Sequence, residues 1–338
     1  MPGSSAAHDL VARLMDGYIQ TQLLYVAARL RLADLLASGP QSADELAVAA
    51  SANASVLHRI LRGLAINGIV EEEKGVFGLT EAGRCLQSGT EDSLRGAILS
   101  RGDLYYRAAS GLLESVRDGE PAFRHVHGAA FFDHLTDSPD RLVAFQESMV
   151  ARSQFEAAEV VSTYDFTRYH HIVDVGGGFG VTLAAILRSN TDLQGTLFDR
   201  PEVVRAAPER LLEAGVASRC TVVAGDAFDA VPQGGDLYLL SRVIHDWNDE
   251  DAVRILQSCR TAMKDDATLA LVEAVIADHA SDRAAAILMD LHMLVLGLGR
   301  ERTVDEFREL LAQAGFALQR VIPAQGRTGV KIIEARCV

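Results

Sequence analysis

His171-Ile172-Val173-Asp174-Val175-Gly176-Gly177-Gly178-Phe179-Gly180 is the stretch whose reading decides the fold. A short apolar run breaks into glycines and then into a helical pattern beginning near Val181, which predicts a strand, a tight turn and a helix N-terminus. Glycine suits such a turn because the backbone must pass through positive φ and let a ligand reach the peptide groups with no Cβ in the way. Taken alone, the run is equally the mark of an ordinary strand-to-helix turn, so the residues beyond it have to discriminate.

Beyond it, β-type runs alternate with helical ones: Ile172 to Val175, Thr196 to Phe198, Cys220 to Val223, Leu237 to Leu240 and Leu269 to Val272. The alternation predicts an α/β domain, a mostly parallel sheet with helices on both faces. Ligands of such sheets bind at the carboxyl ends of the strands. The informative positions are therefore Gly176 to Gly180, Asp199, Asp226, Ser241 to His245 and Glu273. The glycines lack the dinucleotide spacing G-x-G-x-x-G: counted from Gly176 the third position is Val181, and counted from Gly178 it is Leu183. Asp199 stands nineteen residues past Gly180, where a carboxylate accepts hydrogen bonds from ribose hydroxyls. Asp226, in Gly225-Asp226-Ala227-Phe228, is placed to take the exocyclic amine of adenine, with Phe228 to pack on the ring. Together they predict an adenosine-containing ligand without a pyrophosphate.

The N-terminal third reads differently. Leu23, Val26, Ala27 and Leu30 form the stripe of an amphipathic helix running from about Ala7. Ser42-Ala43-Asp44-Glu45 is a capping box, and Asn53 caps a next helix faced by Leu57, Ile60, Leu61 and Leu64 and ended by Gly68. Ile69-Val70 and Val76-Phe77-Gly78-Leu79 follow as short strands around an acidic turn. Helix, helix, hairpin is the winged-helix order. The would-be recognition helix offers only His58, Arg59 and Arg62, and the wing carries Glu71-Glu72-Glu73 where phosphate contacts belong. Protein contact, with the preceding apolar helix as a homodimer surface, is expected rather than DNA. From 101 to 165 the pattern stays helical with Tyr105, Tyr106, Phe123, Phe131, Phe132, Phe145 and Phe155, a set suited to a pocket for a flat apolar ligand.

Composition bounds the function classes. With 49% apolar residues, the chain of 338 has material for a large core. A net charge of −14 repels phosphate backbones, so nucleic acid is not an expected partner. No apolar run approaches the roughly 18 residues needed to span a bilayer. Nor does the start, Met1-Pro2-Gly3-Ser4-Ser5, carry a basic and then apolar leader, so a cytoplasmic location without membrane contact is expected. Cys85, Cys220, Cys259 and Cys337 have no paired spacing, and His125 and His127, two apart, do not share a helix face; no metal site is expected.

Five stretches in order, Val173 to Gly180, Phe198-Asp199-Arg200-Pro201, Gly225-Asp226-Ala227-Phe228, Val243-Ile244-His245-Asp246-Trp247 and Gly299-Arg300-Glu301-Arg302-Thr303, carry a resemblance. The chain resembles the S-adenosylmethionine-dependent O-methyltransferases of the caffeic acid and acetylserotonin type. The likeness covers the whole chain, and Leu239 to Ile244 is more similar to bacterial members, including phenazine and anthracycline methyltransferases, than to plant ones. It implies a Rossmann-like class I methyltransferase sheet ending in an antiparallel hairpin, with Phe316 to Ile322 and Val330 to Ala335 as its strands. It implies a winged-helix dimerisation domain over 1–100, a helical connector lining the acceptor pocket over 101–165, and a catalytic domain over 166–338. S-adenosylmethionine is the implied cofactor, without a metal, and an aromatic small molecule the implied acceptor.

A phenol is mostly protonated at neutral pH, and histidine has the pKa to take its proton if its other nitrogen is held by an acceptor. His245 matches the family's base, and Glu273 and Glu301 the glutamates that flank it. Gly176 would approach the methionine portion, Asp199 the ribose, and Asp226, Ala227 and Phe228 the adenine. Plant members have a lysine where Ser241 stands, which leaves Ser241 and its neighbour Arg242 as candidates for a cofactor contact. Asp246, His292 and Met293 are candidates for the acceptor. An N-methyltransferase or a methyl-independent hydroxylase on the same scaffold is the alternative, and a ligand-responsive DNA-binding regulator the remote one; an intact His245 favours oxygen as acceptor.

Overall fold

The computed structural model describes residues 3–90, 93–136, 139–277, 280–326 and 328–338. The chain divides into two compact units, Met1–Leu113 with Phe123–Ala151, and Glu114–Ala122 with Arg152–Val338, so the stretch expected as a connector is shared between them.

In the first unit the expected long amphipathic helix is two, Gly3–Met15 and Gly17–Arg29, parted at Asp16. The capping box at Ser42 and Glu45 opens the helix Ala43–Ala49. Asn53 accepts the Val56 N–H at 3.1 Å and opens Ala54–Ile66, which buries Leu57, Leu61 and Leu64. Strands β1 (Gln41–Ser42), β2 (Val70–Glu73) and β3 (Val76–Leu79) make a small antiparallel sheet in the order β1-β3-β2. Here the acidic triplet is strand rather than turn. The turn is Lys74-Gly75, both at positive φ (52° and 83°), the handedness that matches the twist of a two-residue hairpin. Tyr105, Phe123 and Phe145 each meet Phe131 edge to face. The Phe132 side chain lies outside the described residues.

The second unit holds β4 (His171–Val175), β5 (Gln194–Asp199), β6 (Cys220–Ala224), β7 (Leu237–Ser241), β8 (Thr268–Ile276), β9 (Arg302–Thr303), β10 (Phe316–Pro323) and β11 (Val330–Cys337). Their order is β10-β11-β8-β7-β4-β5-β6, with β9 beside β8. Strands β4 to β8 pair in parallel, and β11 runs antiparallel to both β8 and β10, the expected class I methyltransferase sheet with its terminal hairpin. Alternation along β4 feeds two cores: Val173 and Val175 pack with Leu269, Leu271 and Phe307 on one face, Ile172 with Leu183, Leu187 and Leu197 on the other. Strand order reverses between β4 and β7, which puts a crevice at their carboxyl ends.

Glu273 does not end its strand. Parallel pairing of Val275 with Arg302 and Ile276 with Thr303 carries β8 three residues further, and that pairing brings the loop of Glu301 alongside.

Candidate active site

The crevice opens on the glycine turn. Gly176 sits at φ +70°, and a Cβ there would lie 2.6 Å from Val243 Cγ2, so glycine is what lets the turn after β4 close on the turn after β7. The Gly176 N–H donates to the Phe198 carbonyl at 2.8 Å. Asp199, at the end of β5, accepts the Gly178 N–H at 2.8 Å and the Arg200 N–H at 2.7 Å, bracing the turn. Asp226 is exposed and accepts the Phe228 N–H at 2.9 Å. The Phe228 ring, next to half-buried Ala227, meets Trp247 edge to face at 4.7 Å, and the Arg254 guanidinium lies 4.8 Å from its centre.

His245 is buried in the short 3-10 turn Ile244–Asp246 after β7. Its Nδ1 lies 2.8 Å from Glu301 Oε1. A carboxylate accepts only, which places the proton on Nδ1 and leaves Nε2 as the ring's acceptor. Nε2 is 3.5 Å from the partly exposed Asp246 carboxylate. Glu273 supports the turn from below by accepting the Ile244 N–H at 2.9 Å. Asp290, on the helix Ala280–Leu296 that also carries half-buried His292 and Met293, accepts the Glu301 N–H at 2.9 Å. Ser241 closes β7 opposite Val272.

Two residues complete the site that local sequence did not single out. Arg302 is fully buried and donates to the Ile244 carbonyl at 3.1 Å and the Trp247 carbonyl at 2.9 Å, clamping the turn on either side of His245. Glu156, on the helix Pro139–Thr163, takes the guanidinium of Arg242 at 2.8 Å and of Arg152 at 3.0 Å. Arg242, a candidate for a cofactor contact, places its guanidinium on Glu156, with Glu301 Oε1 3.5 Å away. Its backbone stands at φ 57°, a left-handed conformation costing a non-glycine residue about 1–2 kcal/mol.

Residues 110–317 match the family model for an O-methyltransferase domain, and residues 12–89 that for an O-methyltransferase dimerisation domain. The chain is 42% identical to the phenazine O-methyltransferase PhzM of Lysobacter antibioticus, over 99% of this chain and 97% of that one. The chain belongs to the O-methyltransferase family. Two solved structures share the fold of this O-methyltransferase. A mitomycin 7-O-methyltransferase is 34% identical with a TM-score of 0.93, covering 99% of this chain and 98% of that one. An O-methyltransferase from neocarzinostatin biosynthesis, in complex with S-adenosylmethionine and 2-hydroxy-5-methyl naphthoic acid, is 36% identical with a TM-score of 0.82, covering 94% and 96%.

Charge in the O-methyltransferase site is arranged around the imidazole. Burial by itself would drive the His245 pKa down, but the carboxylates of Asp246, Glu273 and Glu301 outweigh it and hold the ring above its ordinary value. Burial lifts Glu273 to about 7. Glu156 is as deeply buried, yet Arg152 and Arg242 overcome that penalty and hold it down at about 2. His245, Glu273 and Glu301 offer atoms within 4.8 Å of one another, close enough to share a cation. Nδ1 and Oε1 of Glu301 are already committed to each other, and Oε1 of Glu273 to a backbone amide, a donor set better suited to orienting a base than to ligating an ion.

Proposed function

We propose that this S-adenosylmethionine-dependent O-methyltransferase methylates a phenolic hydroxyl of an aromatic natural product of phenazine or polyketide type, with His245 as general base. The observation that carries the reading is the buried His245–Glu301 pair, which commits Nδ1 to the carboxylate so that in the neutral ring Nε2 is the acceptor. The names of the relatives support the acceptor class.

The crevice suits the cofactor's groups. Gly176 would approach the methionine portion; Asp199, each of whose oxygens has a second lone pair, would take ribose hydroxyls; and Asp226, Ala227 and Phe228 would flank adenine. When bound, S-adenosylmethionine supplies an electrophilic methyl carbon on a sulfonium. His245 Nε2 would take the proton of the acceptor hydroxyl, leaving its oxygen as the nucleophile for that carbon. Glu301 holds the imidazolium that results, a charge-assisted hydrogen bond worth more than a neutral one. Asp246 marks the open side of the ring, and His292 and Met293 lie on the helix that positions Glu301, which favours them for the acceptor. We also assign the chain a homodimer built through residues 12–89 and a cytoplasmic location, where the cofactor is made.

Incubation with methyl-labelled cofactor and a panel of phenolic phenazines, naphthols and catechols tests the reading. One methyl mass is expected in the product for each S-adenosylhomocysteine formed. His245→Ala should lower turnover about 10²–10⁴-fold; undiminished turnover removes the base assignment, and cofactor consumption without methylated product favours the hydroxylase alternative. Turnover in the presence of a strong chelator should match the control.

A further inference from the structure

We infer that Arg242, locked by Glu156 and Arg152, is a positioning residue for the base: it holds the same Glu301 oxygen that meets His245, and so sets the tautomer and aim of the imidazole. The inference rests on His245 acting as base. Three independent observations meet here. Arg242 holds a strained left-handed backbone that glycine would fill without cost, yet its side chain is only 13% exposed and carries a full set of charged partners. Its Nε and Nη2 fork onto Glu156 at 3.1 and 2.8 Å, while Nη1 is turned to Glu301 Oε1 at 3.5 Å. Glu301 Oε1 is the same oxygen that meets His245 Nδ1, so one carboxylate oxygen is shared by the guanidinium and the ring.

Arg152 makes the arrangement rigid. It reaches Glu156 Oε1 from its own helix and lies 3.7 Å from Met289 Sδ, tying Pro139–Thr163 to the helix Ala280–Leu296, whose Asp290 anchors the Glu301 backbone. The groups facing the imidazole are then Glu301 and Asp246 by contact and Glu273 through its field, with Arg242 standing behind Glu301 as counter-charge. Without Arg242, the Glu301 carboxylate keeps a single charged partner and two ways to turn, and its second oxygen, Oε2, has no hydrogen-bond partner among the described residues to stop it.

Arg242→Lys keeps the charge and loses the fork; the pair Glu156→Gln with Arg242→Gln removes both ions of the fork together and leaves Arg152, one-quarter exposed, without its carboxylate. Each is compared with wild type for thermal stability, for S-adenosylhomocysteine affinity by calorimetry, and for kcat and KM with a hydroxyphenazine acceptor. Assays run at pH 7 and again about one unit above that phenol's own pKa, where the acceptor is ionised without help. Arg242→Lys should lower kcat at pH 7 about tenfold and the double variant about a hundredfold, with KM and product affinity within threefold. The deficit should shrink to within about threefold on the ionised acceptor. A kcat within twofold of wild type in both variants overturns the inference. So does a loss equal at both pH values, which marks a merely structural role, or a tenfold loss of S-adenosylhomocysteine affinity, which makes Arg242 a cofactor contact. His245→Ala, assayed alongside, separates the two readings: if it keeps turnover the base itself is misassigned, and if it loses turnover while the Arg242 variants do not, only the positioning role falls.

Discussion

Asp174 lies wholly buried in β4, and neither carboxylate oxygen has a hydrogen-bond partner among the described residues. Burial, helped by Asp199, lifts its pKa to about 7. The folded state therefore binds a proton that the unfolded chain releases near 4, and stability falls as pH rises from about 4 through 7. Asp174→Asn removes that slope: chemical denaturation at pH 5 and pH 8 should show the variant gaining on wild type by about 2–3 kcal/mol between the two. Glu301→Gln keeps the shape beside His245 and loses the charge, and should lower kcat about 10–100-fold with little change in thermal midpoint. His245 was legible as a residue because it follows a strand in a motif of fixed order, and Glu273 and Glu301 because they match the resemblance, although Glu273 lies inside β8 and Glu301 just before β9. Glu156 was not, since an acid in a long helix reads as solvated surface until the fold sets Arg242 against it.

The loop from Gly299 to Thr303 acts as an element in its own right. A Cβ at Gly299 would run into the carbonyl oxygen of His245, so only glycine lets this loop lie against the catalytic turn. Gly299→Ala should push Glu301 away from Nδ1 and cut turnover at least tenfold while the far-ultraviolet circular dichroism stays unchanged. Helix starts at Ser42 and Asn53 followed from side chains that cap within three residues, a local interaction that local sequence encodes. Two elements did not follow. The hairpin turn fell at Lys74-Gly75 because strand twist selects two positive-φ residues over a run of acids. The two-residue β9 exists only through its pairing to β8 and has no sequence signature of its own.

For the molecule as a whole, buried ion pairs set the acid limit. Glu156 is held at about 2 against an ordinary 4.5, so its contribution is full above 4.5 and is lost as pH falls toward 2; that amounts to about 3 kcal/mol. Glu334, ringed by Tyr164, Arg168 and Arg320, is held down to about 2 as well and adds in the same direction. Acid titration followed by tryptophan fluorescence should show unfolding that steepens below about pH 4.5, and Glu156→Gln should flatten it. On the first unit, Leu10, Val11, Leu14, Met15, Tyr18 and Ile19 leave apolar area exposed on the helices Gly3–Met15 and Gly17–Arg29, within and beside the matched dimerisation domain. Leu14→Glu with Tyr18→Glu should halve the mass seen by sedimentation. No helix among the described residues is long and apolar enough to cross a membrane. The sequence by itself determined the sheet and the glycine turn and singled out His245, because apolar periodicity, capping and strand-end position are written within a few residues of one another. Only the tertiary structure decided what holds them: that Arg302 clamps the turn of His245, that β9 carries Glu301 to it, and that Glu156 draws Arg242 behind that carboxylate. Charges so far apart in the chain meet only when burial and strand pairing exclude the water that would otherwise solvate each alone.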